Sequence, residues 1–190
     1  METGAGCVLR CEHATALVKG ARVRAVIGDF VEVSVPDGHD KGIIEGIEPR
    51  TTSFTRKDPT ERTVAQVLAA NFNQVMIAEP LSDVNFKRLE RELVLAHETG
   101  ASVSVVLTKS DLAASPEAVE GVLERARALA GPATLVLTMS DRDAASVERV
   151  RALMPPDSVT VLIGKSEIPS DSGNTFLMPD DKSCGALLSE

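Results

Sequence analysis

The chain has 190 residues, 43% of them apolar and 25% charged, with 20 Lys+Arg against 28 Asp+Glu and a formal net charge of −8. That length and composition suit one α/β domain with a small appendage, and the acidic balance excludes a surface given over wholly to nucleic acid. The imbalance is uneven: residues 1–62 hold nine Lys/Arg and ten Asp/Glu, residues 63–190 eleven and eighteen, so a polyanionic partner belongs to the front segment.

The first sixty residues read as short strands punctuated by turns. Gly20 and Gly28 precede the alternating run Phe30–Val35; Pro36-Asp37-Gly38 makes a turn; Ile43–Ile47 follows. This predicts a small β-barrel or meander. The alternation puts Val31, Val33 and Val35 on one face against Phe30, Glu32 and Ser34, and closure would remove the exposed edges. Pro49 to Thr63 is polar and without period, and reads as a linker.

Beyond it the pattern changes to alternating strands and helices. A strand is predicted over 74–78. Asn85 to Thr99 then places Phe86, Leu89, Leu93 and Ala96 at helical spacing, and Gly100 ends the helix. Val103 to Leu107 is a continuous β-branched run of the kind buried on both faces of a parallel sheet. Ser115-Pro116 starts a second helix running to about Ala130. A strand at 135–137, a helix over 143–153 and a strand at 159–163 complete a doubly wound α/β domain of four strands and three helices. Residues 167–190 have no hydrophobic period and read as an irregular tail.

Cys7, Cys11 and Cys184 are too few and too irregular for a disulfide framework, and no charged-then-apolar leader follows Met1. The apolar runs are far short of a membrane span. A reducing cytoplasm is the expected compartment. Cys7, Cys11 and His13 cluster, but a structural zinc needs four ligands and no second pair follows, so no metal site is expected. His13, His39 and His97 show no catalytic partner pattern.

Thr108-Lys109-Ser110-Asp111 stands directly after the buried strand, at the carboxyl end where open α/β sheets bind ligands. The residue types suit a guanine reader. An Asp carboxylate accepts two parallel hydrogen bonds from guanine's ring imino and exocyclic amino groups, an arrangement adenine cannot supply. Lys109 can lay its aliphatic stem along the base with its ammonium in water. Asn is the commoner first residue of such a motif, and Thr108 departs from it.

Three passages, Gly28-Asp29-Phe30-Val31-Glu32-Val33, Glu48-Pro49-Arg50-Thr51-Thr52-Ser53-Phe54-Thr55-Arg56 and Ala69-Ala70-Asn71-Phe72-Asn73-Gln74-Val75, resemble the ribosome small subunit-dependent GTPase family, RsgA, also called YjeQ. The likeness covers about residues 7–166. In that family the base-reading motif precedes the phosphate loop, the reverse of ordinary GTPases, and here Thr108–Asp111 precedes Gly164-Lys165-Ser166.

The resemblance implies an OB-like RNA-binding barrel with its linker over 1–62, lacking room for a complete first strand. It implies the first part of a circularly permuted P-loop GTPase domain over 63–166. It also implies GTP and Mg2+ as ligands, the small ribosomal subunit and its 16S-type rRNA as partner, and a monomer. Arg22, Arg24, Arg50, Arg56, Lys57 and Arg62 become candidate phosphate contacts.

The family's loop continues from Gly164-Lys165-Ser166 through two further glycines to a Lys-Ser pair. Here Pro169 stands for the second motif glycine, Ser170 for the phosphate lysine and Asp171 for the magnesium-binding hydroxyl. Proline has no N–H to donate and cannot take glycine's backbone angles. Like charges about 4 Å apart repel by about 4 kcal/mol at an effective dielectric near 20, so Glu167 and Asp171 oppose a polyphosphate. Impaired GTP hydrolysis is expected. The family's switch threonine, Asp-x-x-Gly element and Cys/His zinc domain have no counterpart among these residues, and the expectation is a truncated or frameshifted reading of a longer gene. Two other functions fit the residues: a non-catalytic ribosome-binding fragment, and a Rossmann-like small-molecule enzyme in which Thr-Lys-Ser-Asp is coincidental.

Overall fold

Val75, Ile77, Val103, Val105, Leu107, Val161 and Ile163 recur at alternate positions of three neighbouring strands, and all are buried. The intervening Met76, Ala78, Val106 and Leu162 are buried in a second cluster on the opposite face. A sheet covered on both sides explains why these strands are unbroken apolar runs. The computed structural model describes residues 9–20, 23–57, 65–156, 158–164 and 184–188.

The central sheet contains β6 (Gln74–Pro80), β7 (Ser102–Thr108), β8 (Leu135–Thr138), β9 (Val159–Gly164) and β10 (Cys184–Leu188) in the order β10-β9-β6-β7-β8. β6 lies parallel to β7 and to β9, β7 parallel to β8, and β10 antiparallel to β9. The chain moves outward from β6 to β8 and then returns past β6 to β9. The strand order therefore reverses between β6 and β9, which opens a crevice at their carboxyl ends.

Helices α1 (Phe86–Glu98) and α2 (Pro116–Ala130) pack Leu89, Leu93, Ala96, Leu123 and Ala126 on one face of the sheet. Helix α3 (Ala144–Arg151) packs Val150 on the other. Each start is capped as its sequence suggests: Asn85 Oδ1 accepts the Arg88 N–H at 3.1 Å, Ser115 Oγ the Ala118 N–H at 3.3 Å, and Asp143 Oδ1 the Ala145 N–H at 3.1 Å. The mixed α/β fold with a parallel sheet thus agrees with the sequence reading, each predicted boundary falling within two residues of the observed one.

The front segment differs from its reading. β1 (Arg10–His13), β2 (Val31–Ser34) and β3 (Lys41–Ile47) form a three-stranded sheet in the order β1-β3-β2. β4 (Ser53–Lys57) and β5 (Ala65–Ala70) form a separate antiparallel pair. No closed barrel is found among the described residues. The predicted burial of Val31, Val33 and Val35 on one face also fails, for Val33 is 37% and Val35 52% exposed. A register shift between Glu32 and Val33 inserts an irregularity that breaks the two-residue alternation. The supposed linker contains β4, whose Phe54 is buried in the main core.

A dense junction joins front and back. The Ala70 N–H donates to the Ile27 carbonyl at 2.9 Å, and Asn71, with a left-handed φ of 53°, donates its amide to the Gly28 carbonyl at 2.9 Å. Gly28 (φ 87°) approaches Ala70 so closely that any Cβ would overlap the Ala70 carbonyl. Two residues on, the Asn73 N–H donates to the Val159 carbonyl and its side chain accepts the Val159 N–H, each at 2.9 Å. In the tail read as irregular, Cys184–Leu188 pairs with β9. Five residues are too short a run to announce a strand by periodicity.

Candidate functional site

Thr108 ends β7 buried, its hydroxyl 3.4 Å from the Glu79 carbonyl of β6. Lys109 then takes a left-handed backbone (φ 57°), uncommon for a residue with a side chain. That reversal turns the chain into a single 3-10 turn, Ser110–Leu112, stitched to the end of β8 by the Ser110 N–H donating to the Met139 carbonyl at 3.1 Å. All four predicted residues thus fall on one strand-end loop.

Asp111 faces the β8–α3 loop. Its Oδ1 accepts the Ser140 hydroxyl at 2.8 Å, and its Oδ2 lies 3.6 Å from Arg142 Nε. The Asp111 side chain is 20% exposed and that of Arg142 78%, so the ion pair is weak and the Ser140 bond is the main restraint. A carboxylate offers about four lone-pair directions, which leaves acceptor sites for a ligand with two adjacent donors. Ser140 and Arg142 escaped the sequence reading. The available signal was positional, since Ser140 follows β8 where Lys109 follows β7.

Across the crevice, Gly164 closes β9 with φ 140° and backs onto the Ala78 carbonyl with no room for a Cβ. Any other residue is excluded there. Lys165 and Ser166 lie outside the described residues. Glu79, also missed, is fully buried at the end of β6, with its Oε1 3.5 Å from Arg88 Nε, which also meets Glu92 at 2.7 Å. A lone carboxylate directly after the apolar run 75–78 was the sign of it.

Of the six basic candidates, Arg50 is held within the front segment itself. Arg50 is committed to Asp29: its Nε and Nη2 donate to the two carboxylate oxygens, each at 2.7 Å, and Nη2 also reaches the Arg24 carbonyl at 3.3 Å. The Asp29 side chain is 1% exposed, and its hydrogen bond holds the Arg50 guanidinium above its ordinary pKa. Arg56 and Lys57 lie on β4; Arg22 and Arg62 lie outside the described residues. Among the described residues no group of three or more His, Cys, Asp or Glu side chains is placed to hold a metal ion, and no helix is long and apolar enough to cross a membrane.

The comparisons with known proteins agree with this geometry. The family model for the RsgA GTPase matches residues 47–169. The chain is 38% identical over 149 residues to the small ribosomal subunit biogenesis GTPase RsgA 2 of Listeria monocytogenes, covering 77% of this chain and 39% of that protein. It is 34% identical over 140 residues to the RsgA of Streptomyces coelicolor, covering 73% and 37%. The chain therefore spans about two-fifths of the length of these curated relatives. Among solved structures, YjeQ from Thermotoga maritima superposes with a TM-score of 0.67 at 17% identity, covering 96% of this chain and 66% of that one. YloQ, described as a circularly permuted GTPase, superposes with a TM-score of 0.60 at 19% identity, covering 85% and 52%. With Thr108–Asp111 ahead of Gly164 in the chain, both at the carboxyl edge of the parallel sheet, and with the family model matching well over half its residues, the chain belongs to the RsgA GTPase family.

Proposed function

We propose that the chain binds guanine nucleotides through Asp111 and serves as a small-ribosomal-subunit maturation factor of the GTP-hydrolase type, with its own hydrolysis impaired. The observation that carries this is the Asp111 carboxylate held by Ser140 at 2.8 Å on the carboxyl edge of the sheet. Asp111 accepts the guanine imino and 2-amino protons; the exposed Lys109 lays its stem along the base; Thr108 and Ser110 hold the turn.

The residues fit a purine at the base end, and Gly164 presents bare backbone where β9 leaves the sheet. At the phosphate end the fit fails. Pro169, Ser170 and Asp171 stand where the resemblance puts a glycine, a lysine and a hydroxyl for Mg2+, so no hydrolytic step is derived through the metal. Lys165 alone near that loop is a poor substitute for a phosphate nest.

The front segment is the proposed rRNA-facing part, and Arg22, Arg24, Arg56, Lys57 and Arg62 are the candidates left there after Arg50 is assigned to Asp29. The smaller negative charge of residues 1–62 supports this placement. The working compartment is the cytoplasm, and the chain acts as a monomer. A non-catalytic ribosome-binding role is the second reading, favoured by the three loop departures.

Titrating fluorescent GTP, GDP and ATP with and without Mg2+ tests the nucleotide reading. Guanine-selective binding lost in Asp111→Ala, with hydrolysis near background, is expected; ATP preference overturns it. Salt-dependent association with small subunits, weakened in Arg56→Ala/Lys57→Ala, tests the ribosomal part.

A further inference from the structure

We infer that Ser146, in the first turn of α3, is a positioning residue for base recognition: it clamps the β8–α3 loop so that Ser140 holds the Asp111 carboxylate in one orientation. This rests on the proposed reading of guanine by Asp111. Ser140 and Ser146 are both buried, at 5% and 3% exposure. The Ser140 N–H donates to Ser146 Oγ at 3.0 Å. The Ser146 hydroxyl has one proton, within reach of the Ser140 carbonyl at 2.9 Å and the Asp143 carbonyl at 2.7 Å. One side chain thus accepts the Ser140 N–H while its single proton is shared between the Ser140 and Asp143 carbonyls, which ties Ser140 to the first turn of α3.

The directions of the remaining bonds are determined by donor and acceptor chemistry. Ser140 Oγ accepts the Arg142 N–H at 3.1 Å, which leaves its own proton for Asp111 Oδ1 at 2.8 Å. An ionised carboxylate only accepts, so the order is Arg142 N–H to Ser140 hydroxyl to Asp111. Ser146 is not needed to cap α3, because Asp143 Oδ1 already accepts the Ala145 N–H at 3.1 Å. Its hydroxyl serves the loop instead. One turn later Val150 is buried against Met76, Val106 and Leu162, so the clamp refers the loop to the sheet core. Asp111 itself stands on a single 3-10 turn and has little else to stop its carboxylate rotating.

Guanosine and inosine differ only in the 2-amino group, so their affinity ratio reports the two-pronged acceptance by Asp111 without involving the phosphate loop. Titrations of both nucleosides, followed by NMR, are expected to show a guanosine preference in the wild-type chain. Ser146→Ala should lower the ratio about three- to tenfold, the range for loss of one net hydrogen bond. Ser146→Cys, which fills the same space with a weak hydrogen-bonding group, should lower it less and guards against a misfolded alanine variant. Ser146→Thr, which keeps the hydroxyl, should restore it. An unchanged ratio in folded Ser146→Cys or Ser146→Ala, or equal losses for both nucleosides, overturns the positioning role while leaving Asp111 as reader. A wild-type chain that does not distinguish the nucleosides and is insensitive to Asp111→Ala overturns both.

Discussion

Arg50 grips Asp29 with two nitrogens, each 2.7 Å from a different carboxylate oxygen. Asp29 Oδ2 also accepts the Val26 N–H at 2.8 Å, so one buried carboxylate ties Arg50 to the stretch 26–29. Asp29→Ala would strand a largely covered guanidinium, and breaking such a pair costs about 3 kcal/mol. Urea denaturation should show that loss. Arg50→Lys should recover only part of it, since an ammonium cannot reproduce the planar two-point contact. A loss of ribosome binding in an Arg50 variant then reports a disturbed junction, so stability should be measured first.

Replacing Asp111 with Asn should change which base is preferred. The amide offers one acceptor and one donor in place of two acceptors, which mismatches guanine's 2-amino group and matches the 2-carbonyl of xanthine. Guanosine affinity is expected to fall at least about tenfold, with xanthosine becoming the better ligand. Competition between the two nucleosides measures this directly, and an unchanged order of preference would count against Asp111 as the reader.

Gly164→Ala places a methyl against the Ala78 carbonyl at a backbone angle only glycine tolerates. A cost of about 2 kcal/mol is expected from the conformation alone, or about 4–8 °C in melting temperature for a chain of this size. The effect should appear without any nucleotide, which separates it from a phosphate-contact defect.

Leu89 is fully buried between α1 and the sheet, whereas Leu112 beside the reading loop is 59% exposed. Leu89→Ala should cost about 2–5 kcal/mol, and Leu112→Ala should stay within about 0.5 kcal/mol. Paired chemical denaturation curves check the contrast.

The central sheet was legible because its strands are buried on both faces and its helices carry ordinary caps; Asn85, Ser115 and Asp143 all act where their residue types suggest. The strand-end placement of Thr108–Asp111 was legible because the apolar run 103–107 stops at them. Ser140 and Ser146 were not, because a serine's partner depends on loop geometry that no spacing encodes. The pairing of Arg50 with Asp29 was not legible for a related reason: sequence displays a charge and conceals its counter-ion. In β2, one irregularity between Glu32 and Val33 reversed the faces that alternation assigns.

The residue pair Asn71 and Asn73 stands at the entrance of β6, and the Thr108–Asp111 loop stands level with its exit, where Pro80 pairs with Thr108. Seven strand residues separate the two, about 23 Å at the usual rise. The asparagine pair and Asp111 therefore lie about one strand length apart, at opposite ends of β6. The packed strand β6 links the two ends directly, which makes its stiffness a property worth measuring alongside any affinity.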